Sequence, residues 1–312
     1  MRQQIEYVAV RSVAFAVRLM PDRLVRACGS TLGLAFFLLD GVHRRIALAN
    51  LAGAFPIRPA RERRVLARAM FEHFGRMLFE LLKFSSLPPR RVLGLVEFDG
   101  EDRVRLAYAQ NRGVLFFTGH FGFWEQQAIA HALKFEPMAV LARPLDNPKL
   151  NALLEKVRGC TGNSIIYRRG AVRRVMRLLA AGQGVGLLID QHMNSPDAIC
   201  VEFFGRPAAT TSTLAALAMR TGAPVIPLFA LPLSNGRYRM IYEHPVEPPR
   251  ADTPDAVREF TQRCSDVLEM YVRRHPELWL WMHRRWREGA GAAVEQGPGM
   301  FPSAKQDLEA DA

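Results

Sequence analysis

The stretch "GVLFFTGHFGFWEQQAIAHALK" (113–134) runs from an apolar strand-like segment, through a turn marked by Gly119 and Gly122, into residues of helical texture. Strand, turn and helix in that order form the repeating unit of an α/β sheet. The same texture continues from about residue 92, with strands expected at 113–118, 137–142, 164–167, 184–189, 223–229 and 237–242. Helices are expected near 123–134, 147–159, 170–182, 211–221 and 254–275. The fold class is therefore α/β, a mixed and largely parallel sheet flanked by helices. In open sheets of this kind ligands bind in the crevice beyond the carboxyl ends of the strands. His120 falls at such an end.

Glu125 follows His120 by five residues, in the first turn or so of the expected helix. A folded-back turn would let the carboxylate accept a hydrogen bond from one imidazole nitrogen, leaving the other to take a proton from a hydroxyl. The competing reading is a histidine capping the helix, with Glu125 as a favourable charge near its positive end. The motif by itself leaves both open.

The chain has 312 residues, 49% of them hydrophobic, which is enough to bury a core. Its formal charge of +12 calls for an anionic partner. Residues 1–91 hold sixteen Lys and Arg against six Asp and Glu, so ten of the twelve net charges sit in the first third. That third reads as helical through residue 84 and is also rich in apolar residues. "SSLPP" (85–89) stops its last helix.

The longest apolar candidate, "LGLAFFLLDGV" (32–42), is broken at Asp40 and falls short of the roughly 18–20 residues of a membrane span. Arg11 and Arg18 interrupt what would otherwise resemble a secretory signal. Arginine alternating with apolar residues, as in "VAVRSVAFAVRLM" (8–20), suits either a helix lying in the interface of an anionic leaflet or a basic outer face on core helices. A nucleic-acid-binding protein would account for the charge but not for the apolar character of the basic segment. Four cysteines, at 28, 160, 200 and 264, are too few and too scattered for a disulfide framework or a paired metal site. His120, Asp190 and His192 match no standard metal-ligand spacing.

Further blocks extend the argument. "HRRIALANLAGAFP" (43–56), "LARPLDNPKLNALLEKVRG" (141–159), "GVGLLIDQH" (184–192), "FFGRPAATTSTLAALAMRTGAPVIPLF" (203–229) and "PELWLWMHRRWR" (276–287) follow one another in order. Together with the strand, "GHFGFWE" and helix, they resemble the HxxxxD/E glycerolipid acyltransferase superfamily, and within it the late, lauroyl- and myristoyl-type acyltransferases of lipid A biosynthesis. The resemblance covers roughly residues 1–287. It implies a basic, membrane-associating helical region at 1–91 and an acyltransferase domain at 92–287, while the composition after Arg287, low in large apolar residues apart from Met300 and Phe301, makes 288–312 a tail expected to be disordered.

The resemblance also assigns roles. His120 matches the family's catalytic base, Glu125 its carboxylate partner, Arg158 an arginine needed for activity and Asp190 the first acid of a "D-Q/H-D" block. Arginine suits a phosphate-bearing substrate because its planar fork binds phosphate oxygens in pairs. Arg143 and Arg169 are further candidates for that anion pocket. His192 stands where a second acid is common.

The "PELWLWMHRRWR" block fits either a headgroup-level belt or the packing of the last segment against the domain. The implied activity is transfer of an acyl chain from an acyl-carrier protein or coenzyme A thioester to a hydroxyl of a membrane lipid, first of all a lipid A precursor. It would occur at the cytoplasmic face of the inner membrane, on a protein held peripherally or by its N-terminal region, with no metal or organic cofactor. An oxyanion hole is expected from backbone N–H groups near the turn. The rival readings are acylation of a phosphatidylinositol mannoside, a lysophospholipid or an amino-acid-containing lipid, and a lipid-binding protein of the same fold without chemistry. Oligomeric state leaves no mark on the sequence.

Overall fold

The computed structural model describes residues 1–167, 170–195, 198–234, 236–249 and 255–286. The tail expected at 288–312 lies outside them.

Four helices come first: α1 (Arg2–Leu19), α2 (Asp22–Leu39), α3 (Gly41–Ala54) and α4 (Ala60–Phe84). Asp40 ends α2 and caps α3, its carboxylate accepting the His43 backbone N–H at 3.0 Å, so the break seen in the sequence is a sharp corner between two helices. Helices α2 and α4 meet almost backbone to backbone. A Cβ on Gly33 would lie 2.1 Å from the Phe71 carbonyl oxygen, and one on Gly75 would lie 2.1 Å from that of Gly29. This close seating fixes α4, which carries the buried His73 toward the sheet.

The chain continues through α5 (Pro89–Gly94), β1 (Val96–Asp99), α6 (Glu101–Tyr108), β2 (Val114–Thr118), α7 (Trp124–Lys134), β3 (Met138–Leu141), α8 (Pro148–Arg158), β4 (Ser164–Ile166), α9 (Ala171–Ala180) and β5 (Gly184–Leu188). A hairpin of β6 (Ala198–Phe203) and β7 (Arg206–Thr211) follows. After it come α10 (Thr213–Thr221), β8 (Val225–Pro232), β9 (Tyr238–Tyr242), α11 (Ala256–Arg274) and a 3-10 turn at Pro276–Leu278.

Among the described residues, seven strands form one sheet in the order β1-β9-β8-β2-β5-β3-β4, with only the β8–β9 pair antiparallel. The α/β, largely parallel sheet read from the sequence is the observed fold. The six expected strands and five expected helices are all present. Strand β1 and the β6–β7 hairpin were not foreseen: β1 has only four residues, and the hairpin contains "EFFGRPAATT", where Gly and Pro hide the strand pattern.

Strand β2 is buried along its whole length. Leu115 and Phe117 face a core shared with α3, α4, α9, α10, α11 and the segment after α11. Val114 and Phe116 face the other core, shared with α5, α6, α7 and α8. A strand covered on both faces reads as an unbroken apolar run, which is why "VLFF" stands out.

Candidate active site

Strands β2 and β5 are parallel neighbours, with Thr118 opposite Leu188. Two residues past each partner stand His120 and Asp190. The register therefore brings the two side chains together at the carboxyl end of the sheet. His120 donates its backbone N–H to Asp190 Oδ2 at 2.8 Å, and its Nδ1 lies 2.8 Å from Asp190 Oδ1. A carboxylate at that nitrogen assigns the proton to Nδ1 and leaves the Nε2 lone pair as an acceptor, with the amide nitrogen of the exposed Gln191 3.4 Å away.

Asp190 is 1% exposed. Burial alone would raise its pKa, but the His120 charge and hydrogen bonds and the nearby His283 hold it well below the usual carboxylate range. For His120, burial disfavours the imidazolium. The Asp190 charge and hydrogen bond outweigh burial, with a smaller contribution from Glu125, and raise the pKa above 6.5.

The turn between β2 and α7 is tightly constrained. Gly122 has φ +56°, and a Cβ there would meet the Ala230 carbonyl oxygen at 2.0 Å. Its N–H donates to the Leu278 carbonyl at 2.8 Å, and the Phe123 N–H donates to that of Ala230 at 3.1 Å. The Phe121 N–H bonds within the turn to the Gly119 carbonyl at 2.7 Å. The backbone donors of residues 120–123 are thus engaged inside the protein. The first N–H groups of α7, at Trp124 and Glu125, lie next in line and have no partner within their own helix.

Glu125 does not hydrogen-bond the imidazole, contrary to expectation. It starts α7 pointing toward the end of α8, where Arg158 donates Nε to Oε2 at 2.9 Å and Nη2 to Oε1 at 2.5 Å. A two-point guanidinium–carboxylate pair is stronger than a single bond to an imidazole, and the strand register has already given His120 another carboxylate. Both members are mostly buried. The Arg158 pKa is raised, the Glu125 hydrogen bond and charge outweighing burial.

Four of the six residues singled out in the sequence, His120, Glu125, Arg158 and Asp190, therefore converge here. Arg143 does not join the pocket: its side chain is 83% exposed and pairs with the equally exposed Asp146 at 3.2 Å. Arg169 lies outside the described residues. His192 is half-buried, two residues past Asp190.

Several participants escaped the sequence reading. The segment after α11 is packed rather than displayed at a surface: Trp279 and Trp281 are both 0% exposed. Leu280 donates its N–H to the His120 carbonyl at 3.0 Å, and Trp279 donates Nε1–H to Asp190 Oδ2 at 2.7 Å. His283 Nε2 lies 3.3 Å from the Asp190 carbonyl oxygen. Asn50, from α3, holds this strap by donating Nδ2 to the carbonyls of Trp281 and His283, both at 2.8 Å. His73, from α4, lies with Nε2 3.1 Å from the Gly122 carbonyl oxygen. The block "PELWLWMHRRWR" marked the strap in the sequence, with packing against the domain as one of its two readings, but did not show which of its residues reach the turn.

A buried carboxylate on one imidazole nitrogen, with the other at the edge of the sheet, is the arrangement a histidine general base requires. The chain matches, over residues 2–288, the family described as bacterial lipid A biosynthesis acyltransferase, and it belongs to that family. It is thus an O-acyltransferase by membership. The chain is 27% identical to the lipid A biosynthesis lauroyltransferase of Escherichia coli (strain K12), an alignment covering 88% of this chain and 89% of that one. It is 24% identical to the phosphatidylinositol mannoside acyltransferase of Mycobacterium tuberculosis (strain ATCC 25618 / H37Rv), over 87% of this chain and 85% of the other. Among solved structures, the 1-acyl-sn-glycerophosphate acyltransferase PlsC of Thermotoga maritima is similar at 15% identity and a TM-score of 0.37, over 81% of this chain and 96% of that chain.

Proposed function

We propose that the protein transfers a fatty acyl chain, of the lauroyl or myristoyl class, from an acyl-carrier protein or coenzyme A thioester to a hydroxyl of a lipid A precursor. The observation that carries this reading is the His120–Asp190 pair at the ends of β2 and β5, with Nδ1 committed to the carboxylate. Nε2 takes the proton of the acceptor hydroxyl as its oxygen attacks the thioester carbonyl. The C–S bond of the tetrahedral intermediate then breaks, and the leaving thiolate takes the proton back from Nε2. Asp190 stabilises the imidazolium between the two steps. The thioester supplies the driving force, so the scheme calls for no metal or organic cofactor.

Arg158, held by Glu125 through Nε and one terminal nitrogen, keeps its other terminal nitrogen for an acceptor phosphate. The first N–H groups of α7 are the donors for the oxyanion.

Attachment to the membrane is assigned to the basic helical region. The large apolar residues exposed by a third or more concentrate there, with only Leu106, Leu145 and Val172 beyond residue 91 among those described. No single described helix is long and apolar enough to cross a membrane, while α2 and α3 together pass as a pair bent by 89°. At that bend Phe36, Leu38, Leu39 and Val42 face outward, with Arg44 and Arg45 beside them. Such a corner suits peripheral insertion at the cytoplasmic leaflet, with arginine at the headgroups.

The test is transfer of labelled acyl chains to a panel of lipid acceptors by membranes carrying wild type or His120→Ala. Label in a lipid A precursor, lost in the variant, is the expected result. The mannoside relative makes a phosphatidylinositol mannoside the second acceptor to include, and label found there alone would move the substrate and leave the chemistry.

A further inference from the structure

Asp190 accepts three hydrogen bonds from two directions. Oδ1 faces His120 Nδ1, whereas Oδ2 is shared by the His120 backbone N–H at 2.8 Å and the Trp279 indole N–H at 2.7 Å. The indole is not a casual neighbour. Main-chain bonds on both sides of Trp279 tie it to the catalytic turn, from Gly122 N–H to Leu278 and from Leu280 N–H to His120, and Phe121 bridges Trp279 as a strand partner would. Its ring lies 4.6 Å from that of Trp281 and 5.1 Å from that of His283. Without the indole, Oδ2 would keep only the His120 backbone N–H, and the rotation of the carboxylate that aims Oδ1 at Nδ1 would be less closely fixed.

We propose that Trp279 is a positioning residue for acyl transfer. By occupying Asp190 Oδ2, its indole N–H holds the carboxylate with Oδ1 aimed at His120 Nδ1, and so fixes the imidazole with Nε2 toward the acceptor hydroxyl. The proposal rests on the reading of His120 as the base. Trp279 touches neither substrate. It acts through Asp190, and the strap exists in part to deliver it.

The ionisable groups facing this pair are Glu125 on α7, Arg158 on α8, and His283 and Arg285 on the strap. None of them replaces the lost donor in Trp279→Phe. Removing it leaves a more basic carboxylate, which holds the imidazolium more tightly. The neutral base then forms at higher pH.

The experiment compares wild type, Trp279→Phe, Trp281→Phe and His120→Ala, as full chains in membranes, for acyl transfer over a range of pH. Trp281 is the control, because it is equally buried in the same strap but donates to the Pro276 carbonyl at 2.7 Å rather than to Asp190. Trp279→Phe is expected to lower kcat about tenfold with KM for both substrates within about twofold, and to move the rising limb of the pH profile upward by about one unit. Trp281→Phe is expected to leave the limb in place.

An unmoved limb in Trp279→Phe, or an equal shift in both tryptophan variants, overturns the proposal. Activity surviving in His120→Ala overturns the underlying reading instead. Should Trp279→Phe fail to fold, nuclear magnetic resonance of the wild type decides: the Trp279 indole N–H signal should follow the titration of His120, and a flat signal refutes the link.

Discussion

His120 and Asp190 stand two residues beyond the paired positions Thr118 and Leu188, and strand register alone brings Nδ1 within 2.8 Å of Oδ1. Asp190→Asn keeps the shape but puts an N–H where acceptors are needed, since all three contacts to the carboxylate come from donors. The imidazole is then pushed toward the wrong tautomer. Transfer should fall by about 10³- to 10⁴-fold in kcat, the scale seen when a triad carboxylate becomes an amide. Rate assays beside circular dichroism check it, and a loss below tenfold with the fold intact would remove Asp190 from the mechanism.

Glu125 and Arg158 act as one unit in this geometry, since two parallel hydrogen bonds join both carboxylate oxygens to one edge of the guanidinium and each residue fixes the other's orientation. Glu125→Ala and Arg158→Ala should each cost about 100-fold in kcat/KM, and the double variant should be little worse than either alone. Arg158→Lys should rescue poorly, because an ammonium cannot reproduce the two-point pair. Independent, multiplying losses would mean that the two residues serve different steps.

The charge state of His120 sets the pH dependence of transfer. Only the neutral imidazole can accept the hydroxyl proton, and the pKa lies above 6.5, Asp190 outweighing burial. Activity should therefore rise with pH through a limb above 6.5. In Asp190→Ala the main raising influence is gone while burial remains and only the smaller Glu125 contribution opposes it, so the limb of the residual activity should move down. A limb that stays in place would assign it to some other group.

The parallel sheet and the His120 turn were legible because β2, buried on both faces, leaves an apolar run next to glycines. The pairing of His120 with Asp190 was not. Sequence proximity favoured Glu125, five residues away, whereas the partner comes seventy residues later through strand order, which no local pattern encodes. Trp279, Asn50 and His73 were hidden for the same reason: each reaches the turn from another element, and a buried polar side chain looks ordinary until its partner is known. Arg143 erred in the opposite direction, an arginine of the right chemistry left in solvent beside Asp146.

Buried histidines also govern acid stability. His73, His131 and His283 are kept neutral by burial, with pKa values lowered to about 3, about 3 and about 4 from 6.5. Between those values and 6.5 the unfolded chain binds protons that the folded chain does not, so stability must fall as pH drops through that window, by roughly 1.4 kcal/mol per pH unit for each such histidine. His120 works in the opposite sense: with its pKa raised, its contribution is complete below 6.5 and is lost as pH rises through the folded value. The depressed Asp190 adds a further loss only below about 3.8. Glu80, raised by burial from 4.5 to about 7, offsets about one histidine between those values, so thermal melting should be most favourable near pH 6.5 and decline toward pH 4 with the net slope of the remaining two, steepening below 4.5. His73→Gln, which can still donate to the Gly122 carbonyl but cannot ionise, should make that decline shallower by one histidine's share. An identical slope in the variant would show that His73 takes up its proton at an ordinary pKa, and that its contact with the turn opens as the protein acidifies.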